Sequence, residues 1–221
     1  MPLKNSPIKV YPSRGPVPAP KLPRTLSFAS RQLLRDLLTL LSFDLNVLHY
    51  QQQPVEITYR DAGGKKQTYA PELLITYRTD IIPARWMPPL LCEVRCREDL
   101  FENWTDLKPR LRAARAFARR RKWEFRILTE CEIRRPYLYN AKFLLPYRER
   151  ETNWEHADLL MGTLSELRII DAQGLLAACA TSQAHRMELL SSLWQLVSLK
   201  WVGADLTEPL TMRHVLWSNE C

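Results

Sequence analysis

Residues 69–96 read YAPELLITYRTDIIPARWMPPLLCEVRC, and the fold turns on how this stretch pairs with itself. Two runs within and beside it, 68–77 and 90–96, are rich in aliphatic and aromatic residues and predict strands, joined by a loop with Pro83, Pro88 and Pro89. Each run carries one acid: Glu72 directly after Pro71, and Glu93 two residues before Arg95. Strand side chains alternate between faces, so Ala70, Glu72 and Leu74 share one face, as do Leu91, Glu93 and Arg95. In neighbouring strands Glu72 and Glu93 converge near one edge. An acid after proline, followed at a distance by acid-x-base, is the outline of a metal-dependent nuclease centre. Glu72 and Glu93 would hold Mg²⁺, a hard cation that takes oxygen ligands, activates a bound water and steadies charge on a phosphate. A plain same-face ion pair between Glu93 and Arg95 is the alternative.

Upstream, residues 55–59 alternate, and a loop with Asp61, Gly63 and Gly64 leads into 68–77. Strand, glycine-bearing loop, strand predicts an antiparallel hairpin. Residues 43–54, FDLNVLHYQQQP, are read as a linker. Before them Leu33, Leu37, Leu40 and Leu41 recur at three- and four-residue steps, widened by Leu34 and Leu38. This predicts a packed helix over 27–41, capped by Ser27 or Ser30. Residues 1–24 are dense in proline and interleaved with Lys4, Lys9, Arg14, Lys21 and Arg24. Such a segment forms neither helix nor central strand. It is an extended basic arm, either a solvated tail or one that orders on DNA or a partner.

Downstream, a helix is predicted over 106–122, with Pro109 in its first turn, and a fourth strand over 123–129. Strand, helix, strand favours a right-handed crossover with the third and fourth strands parallel. The result is a mixed α/β sheet flanked by helices. On the 106–122 helix Leu111, Ala113, Ala114, Phe117 and Ala118 fall on one side. Arg112, Arg115, Arg119 and Lys122 fall on the other, Arg120 and Arg121 on the flanks, and no acid follows Asp106. A charge run is commonly a solvated face, but cations at this density favour phosphate contact and salt-dependent binding. Composition shifts near 147–152. Helices follow over 154–168, 174–180 and 182–200, the last capped by Thr181 or Ser182, then short segments at 203–206 and 211–217. Three helices and a ribbon predict a winged-helix module, with a plain helical cap as the alternative.

The 221 residues carry a formal net charge of +8, which favours polyanionic partners. Five cysteines without regular spacing argue against a disulfide scaffold and for a reducing compartment. Cys92 and Cys96 share a strand face with Val94 and read as buried thiols rather than metal ligands. His49, His156, His185 and His214 lie far apart and form no zinc pattern. No apolar run reaches the length of a membrane span, and the proline-rich start lacks the apolar core of a signal peptide.

Taken together, LPRTLSF (22–28), LLRDLLTLLSFDLNVLHYQQQP (33–54), YAPELL, LLCEVR, WEFRILTE and the helical C-terminal part resemble the TnsA family, endonuclease subunits of heteromeric transposases. The resemblance spans nearly the whole chain in order and spacing. It implies a restriction-endonuclease-like domain over 25–150 and a winged-helix domain over 151–221, following the arm at 1–24. It also implies Mg²⁺ as cofactor, with transposon-end DNA, a TnsB-like DDE transposase and a TnsC-like ATPase as partners. A bacterial cytoplasmic location on the nucleoid, without membrane association, goes with it. The family's helix glutamate falls on Leu34, its Tyr-x-Pro-Asp aspartate on Glu72, and its Glu/Gln-Val-Lys strand on Glu93, Val94 and Arg95. Leucine binds no metal, and arginine is too basic to replace a lysine that handles protons. Three departures at three chemical positions imply a TnsA-like subunit that binds DNA and its partner but has lost cleavage, since small misplacements already slow catalysis. A weakened or partner-completed endonuclease cutting the 5' strand is the alternative. A winged-helix regulator reading DNA through 182–200 is the third.

Overall fold

The computed structural model describes residues 27–80 and 87–219, so the basic arm, Pro83 and Cys221 lie outside the described residues. Helix α1 (Phe28–Phe43) begins where Ser27 Oγ accepts the Ser30 N–H at 3.2 Å. It is followed by β1 (Val47–Gln52), β2 (Ile57–Arg60), β3 (Lys66–Tyr69), β4 (Leu73–Tyr77) and β5 (Leu90–Val94). Then come α2 (Arg97–Glu102), α3 (Trp104–Arg120) and β6 (Glu124–Leu128).

Two expectations change here. Residues 43–54 are not a linker: β1 lies antiparallel to β4, with Tyr50 opposite Ile75. Because β1 is the edge of the sheet, only Val47 is fully buried, and the two-residue alternation is faint. The run 68–77 is two strands rather than one. Pro71 has no N–H to give to a ladder, and the chain breaks there. β3 stays in a hairpin with β2, Ile57 opposite Tyr69, while β4 pairs antiparallel with β5, Leu74 opposite Leu91. β6 runs parallel to β5, as the crossover rule requires, giving the order β1-β4-β5-β6. α3 starts two residues earlier than its pattern predicts, so Pro109 lies a turn inside it.

Alternation along β4 and β5 divides the core between the sheet's two faces. Leu73, Ile75, Leu90, Cys92 and Val94 pack on the leucines of α1. Leu91 packs instead with Ala114 and Ala118 of α3 and with Ile57 and Tyr69 of the hairpin. β5 is therefore buried along its whole length. That is the environment a near-continuous apolar strand requires.

The rest comprises α4 (Glu130–Ile133), α5 (Pro136–Arg148), α6 (Trp154–Leu167), β7 (Ile169–Asp171), α7 (Ala172–Cys179), α8 (Gln183–Ser198), β8 (Val202–Ala204) and β9 (Val215–Ser218). Asn153, Asp171 and Ser182 cap α6, α7 and α8. β7 and β8 flank β9 in an antiparallel sheet. The largest core unites α6, α7 and α8, and draws in Ala141 and Leu144 of α5 and Phe43 of α1. Arg148 fastens this junction. Its guanidinium donates to the Ser42, Phe43 and Ser198 carbonyls and lies 4.6 Å from the Phe43 ring centre. Among the described residues no helix is long and apolar enough to cross a membrane.

Candidate functional site

Glu93 stands near the end of β5, on the face toward α3 and the hairpin, with no exposure to solvent. A carboxylate in such a place must be paired, and Glu93 is paired twice. Its Oε1 accepts from Arg95 Nε at 3.0 Å and lies 3.6 Å from Arg110 Nη2, and its Oε2 accepts a short hydrogen bond from the Tyr69 hydroxyl. The Arg110 guanidinium also sits 5.2 Å from the centre of the Tyr69 ring. Arg95 Nη1 reaches on to Asp99 Oδ2 at 3.1 Å, which accepts from Ser30 Oγ at 3.2 Å. Ser30 Oγ in turn accepts the Cys96 N–H. One buried network thus joins β3, β5, α2, α3 and α1.

Glu72 directly precedes β4, and its carbonyl accepts the Gln53 N–H at 3.0 Å, which fixes it beside the end of β1. Its side chain is buried, and Oε2 has no partner. Burial pushes its carboxyl up to about 8, the Glu93 charge adds to this, and Arg95 and Arg110 pull it back. Glu72 and Glu93 therefore share one electrostatic environment. At neutral pH Glu72 is mostly protonated. Burial and the Glu93 charge likewise push the Tyr69 phenol upward, so it remains a donor.

Leu34 lies in the leucine core on the α1 face of the sheet, whereas Glu93 faces the α3 side. Ser30, one turn earlier on α1, is the residue that reaches the network. Asp36 does not fill the empty ligand position, because it pairs with Arg134 at 2.9 Å and Lys142 at 2.6 Å. Glu56 is exposed.

Glu72 and Glu93 are the carboxylates that would hold a divalent ion here, and Glu93 is engaged within the fold. Mg²⁺ takes an octahedron of oxygens, several of them waters, so a protein supplies it with one or two carboxylates. Glu93 has both oxygens engaged, whereas Glu72 Oε2 has no partner. Arg95 and Arg110 lie against the carboxylates of Glu93 and Asp99. Among the described residues no group of three or more His, Cys, Asp or Glu is placed to hold a metal. The structure does bring His156 and His185 together, with ring centres 5.6 Å apart, although they are distant in sequence.

Residues 44–130 match the family model of the TnsA-like endonuclease N-terminal domain. Over this span the chain is similar to TnsA-like endonuclease domains. No curated protein matches the chain significantly. The TnsA-like span runs from β1 to β6 and contains Tyr69, Glu72, Glu93, Arg95, Asp99 and Arg110, whereas Ser30 and Leu34 precede it.

Tyr69, Asp99, Arg110 and Ser30 are the site residues that sequence reasoning missed. Arg110 had a signal: it lies three residues after Leu107 and four before Ala114, along the buried stripe of α3. A cation there needs a buried anion. On the opposite side of α3, Arg112, Arg115 and Arg119 are exposed, as is Lys122 just beyond it. Among the described residues none of these four is in an ion pair. Arg121 differs, lying over the Phe117 and Trp123 rings.

Proposed function

We propose that the protein is a TnsA-like subunit of a heteromeric transposase, which binds transposon-end DNA and a TnsB-like DDE transposase without cutting DNA itself. The saturation of Glu93 by two guanidinium groups and a phenol carries this reading. A carboxylate held from within the fold on both oxygens must give up those partners before it can take a catalytic metal. Arg112, Arg115, Arg119 and Lys122 are the assigned phosphate contacts, since they are exposed and unpaired. A TnsC-like ATPase is a further proposed partner, and the cytoplasm the proposed location.

The proposed domains are 25–150, restriction-endonuclease-like, and 151–221, winged-helix-like. The order helix, strand, helix, helix, strand, strand, with a three-stranded antiparallel sheet, supports the second assignment over a plain helical cap. The regulator reading is weakened by α8. Its seven residues from Ser192 to Ser198 are all buried, and Lys200 lies over the Phe43 and Tyr137 rings instead of facing solvent.

The test is an end-bearing duplex incubated with the protein, with and without the transposase, in Mg²⁺ or Mn²⁺. Salt-sensitive binding without nicking is expected. Metal-dependent nicking that disappears in Glu93→Gln would instead support the active endonuclease, which the unpartnered oxygen of Glu72 favours.

A further inference from the structure

Away from Glu93, the β2–β3 hairpin and the first half of α3 enclose an open groove of about 590 Å³. It is lined by Tyr59 and Arg60 from the hairpin side, and by Trp104, Lys108 and Arg112 from the helix. Among the described residues none of the lining side chains is acidic. The nearest hairpin carboxylate, Asp61, is turned back on the Gly63 and Lys65 N–H groups, at 3.0 and 2.9 Å, and on Gln67. Arg60 is held at the rim by its hydrogen bond to the Gly64 carbonyl at 2.9 Å.

Two features separate this groove from the arginine face farther along α3. It contains aromatic rings, and one of them, Trp104, is 46% exposed. Trp104 opens α3 and belongs to none of the buried core clusters. The groove is also walled on one side by the hairpin, which a flat row of phosphate contacts does not need. Cations that track a backbone, alternating with rings on which bases stack, are the recurring construction of single-strand sites. Bases in a duplex are already stacked on one another and have no face to give.

We propose that this groove binds a single-stranded segment of nucleic acid, with bases stacked on Trp104 and Tyr59 and phosphates on Arg60 and Lys108, Arg112 standing where the groove meets the duplex-binding face. The assignment rests on the DNA-binding reading above and deepens it: the exposed α3 face holds duplex, and the hairpin groove holds an unpaired flank.

The experiment compares the full chain with Trp104→Leu, Trp104→Phe, Tyr59→Leu and Tyr59→Phe. Each binds a fluorescent poly-pyrimidine single strand and, separately, a blunt duplex of equal length. Leucine keeps an apolar side chain but removes the ring. Each leucine variant is expected to weaken single-strand binding by between about fivefold and a hundredfold, with duplex binding unchanged and the phenylalanine variants near wild type. Circular dichroism melts confirm that each variant is folded. Leucine variants that melt normally yet bind the single strand as wild type does would overturn the groove assignment, as would equal losses for strand and duplex. If wild type binds neither nucleic acid at low salt, the DNA-binding reading itself fails. If an acidic peptide displaces neither probe, the groove is not a general anion site; displacement of the single strand by such a peptide at equal affinity would contradict the stacking claim.

Discussion

At the residue scale the site is governed by the difference between a buried pair and an exposed one. Glu93 and Arg95 are both buried, and removing one partner strands the other in a low-dielectric interior. Arg95→Ala should lower the unfolding free energy by about 3–5 kcal/mol. Arg126→Ala, which breaks an exposed pair with Glu124, should cost about 0–1 kcal/mol. Urea titrations of the two variants would show the contrast, and equal midpoints would refute the buried network. Glu72 gives a pH signature. Its folded pKa of about 8 lies above the ordinary carboxylate value of 4.5, so between these values the native state holds more protons than the unfolded chain. Stability from this group is therefore present at low pH and falls as pH rises toward 8, by up to about 1.4 kcal/mol per pH unit. Glu72→Gln mimics the protonated side chain and should flatten that decline. Denaturation of both proteins from pH 5 to 9 measures it, and parallel curves would show that Glu72 ionises freely.

At the scale of elements, the strongly periodic pieces were legible and the context-dependent ones were not. α1, α3, α8, β5 and β6 follow from leucine spacing, apolar runs and the crossover rule. β1 was missed because an edge strand buries too little to alternate visibly, and the break at Pro71 because the flanking residues on both sides favour strand. The two acids and Arg95 were legible as a group because period two placed them on one face. Arg110, Tyr69 and Asp99 reach them from three other elements, and no local pattern announces such a meeting. The exposed face of α3 carries its own prediction. Replacing Arg112, Arg115 and Arg119 together by Ala should weaken duplex binding and reduce the slope of log affinity against log salt by roughly 0.9 per lost phosphate contact. Arg121→Ala should change the slope less, since its guanidinium is placed over Phe117 and Trp123. In the C-terminal sheet, a Cβ at Gly203 would collide with the Trp217 indole. Gly203→Ala should therefore destabilise by about 1–3 kcal/mol, the usual range for overpacking, as a lower melting temperature would show.

For the whole molecule, α5 is the element that makes the two halves of the chain one packed body. It contributes Ala141 and Leu144 to the C-terminal core, Asn140 to the Leu206 and Glu208 carbonyls, and Arg148 to the ends of α1 and α8. The composition shift near 150 falls between two helices, α5 and α6, that share one core. In this body the span similar to TnsA-like endonuclease domains forms the β1-β4-β5-β6 sheet, and its buried carboxylate Glu93 is paired with arginines from β5 and α3. The most direct test is to titrate Mn²⁺ into the full-length protein at neutral pH and follow the free-ion signal by electron paramagnetic resonance. An undiminished signal, identical in wild type and Glu93→Gln, is the predicted result. Stoichiometric capture of Mn²⁺ by wild type that is abolished in Glu93→Gln would contradict it.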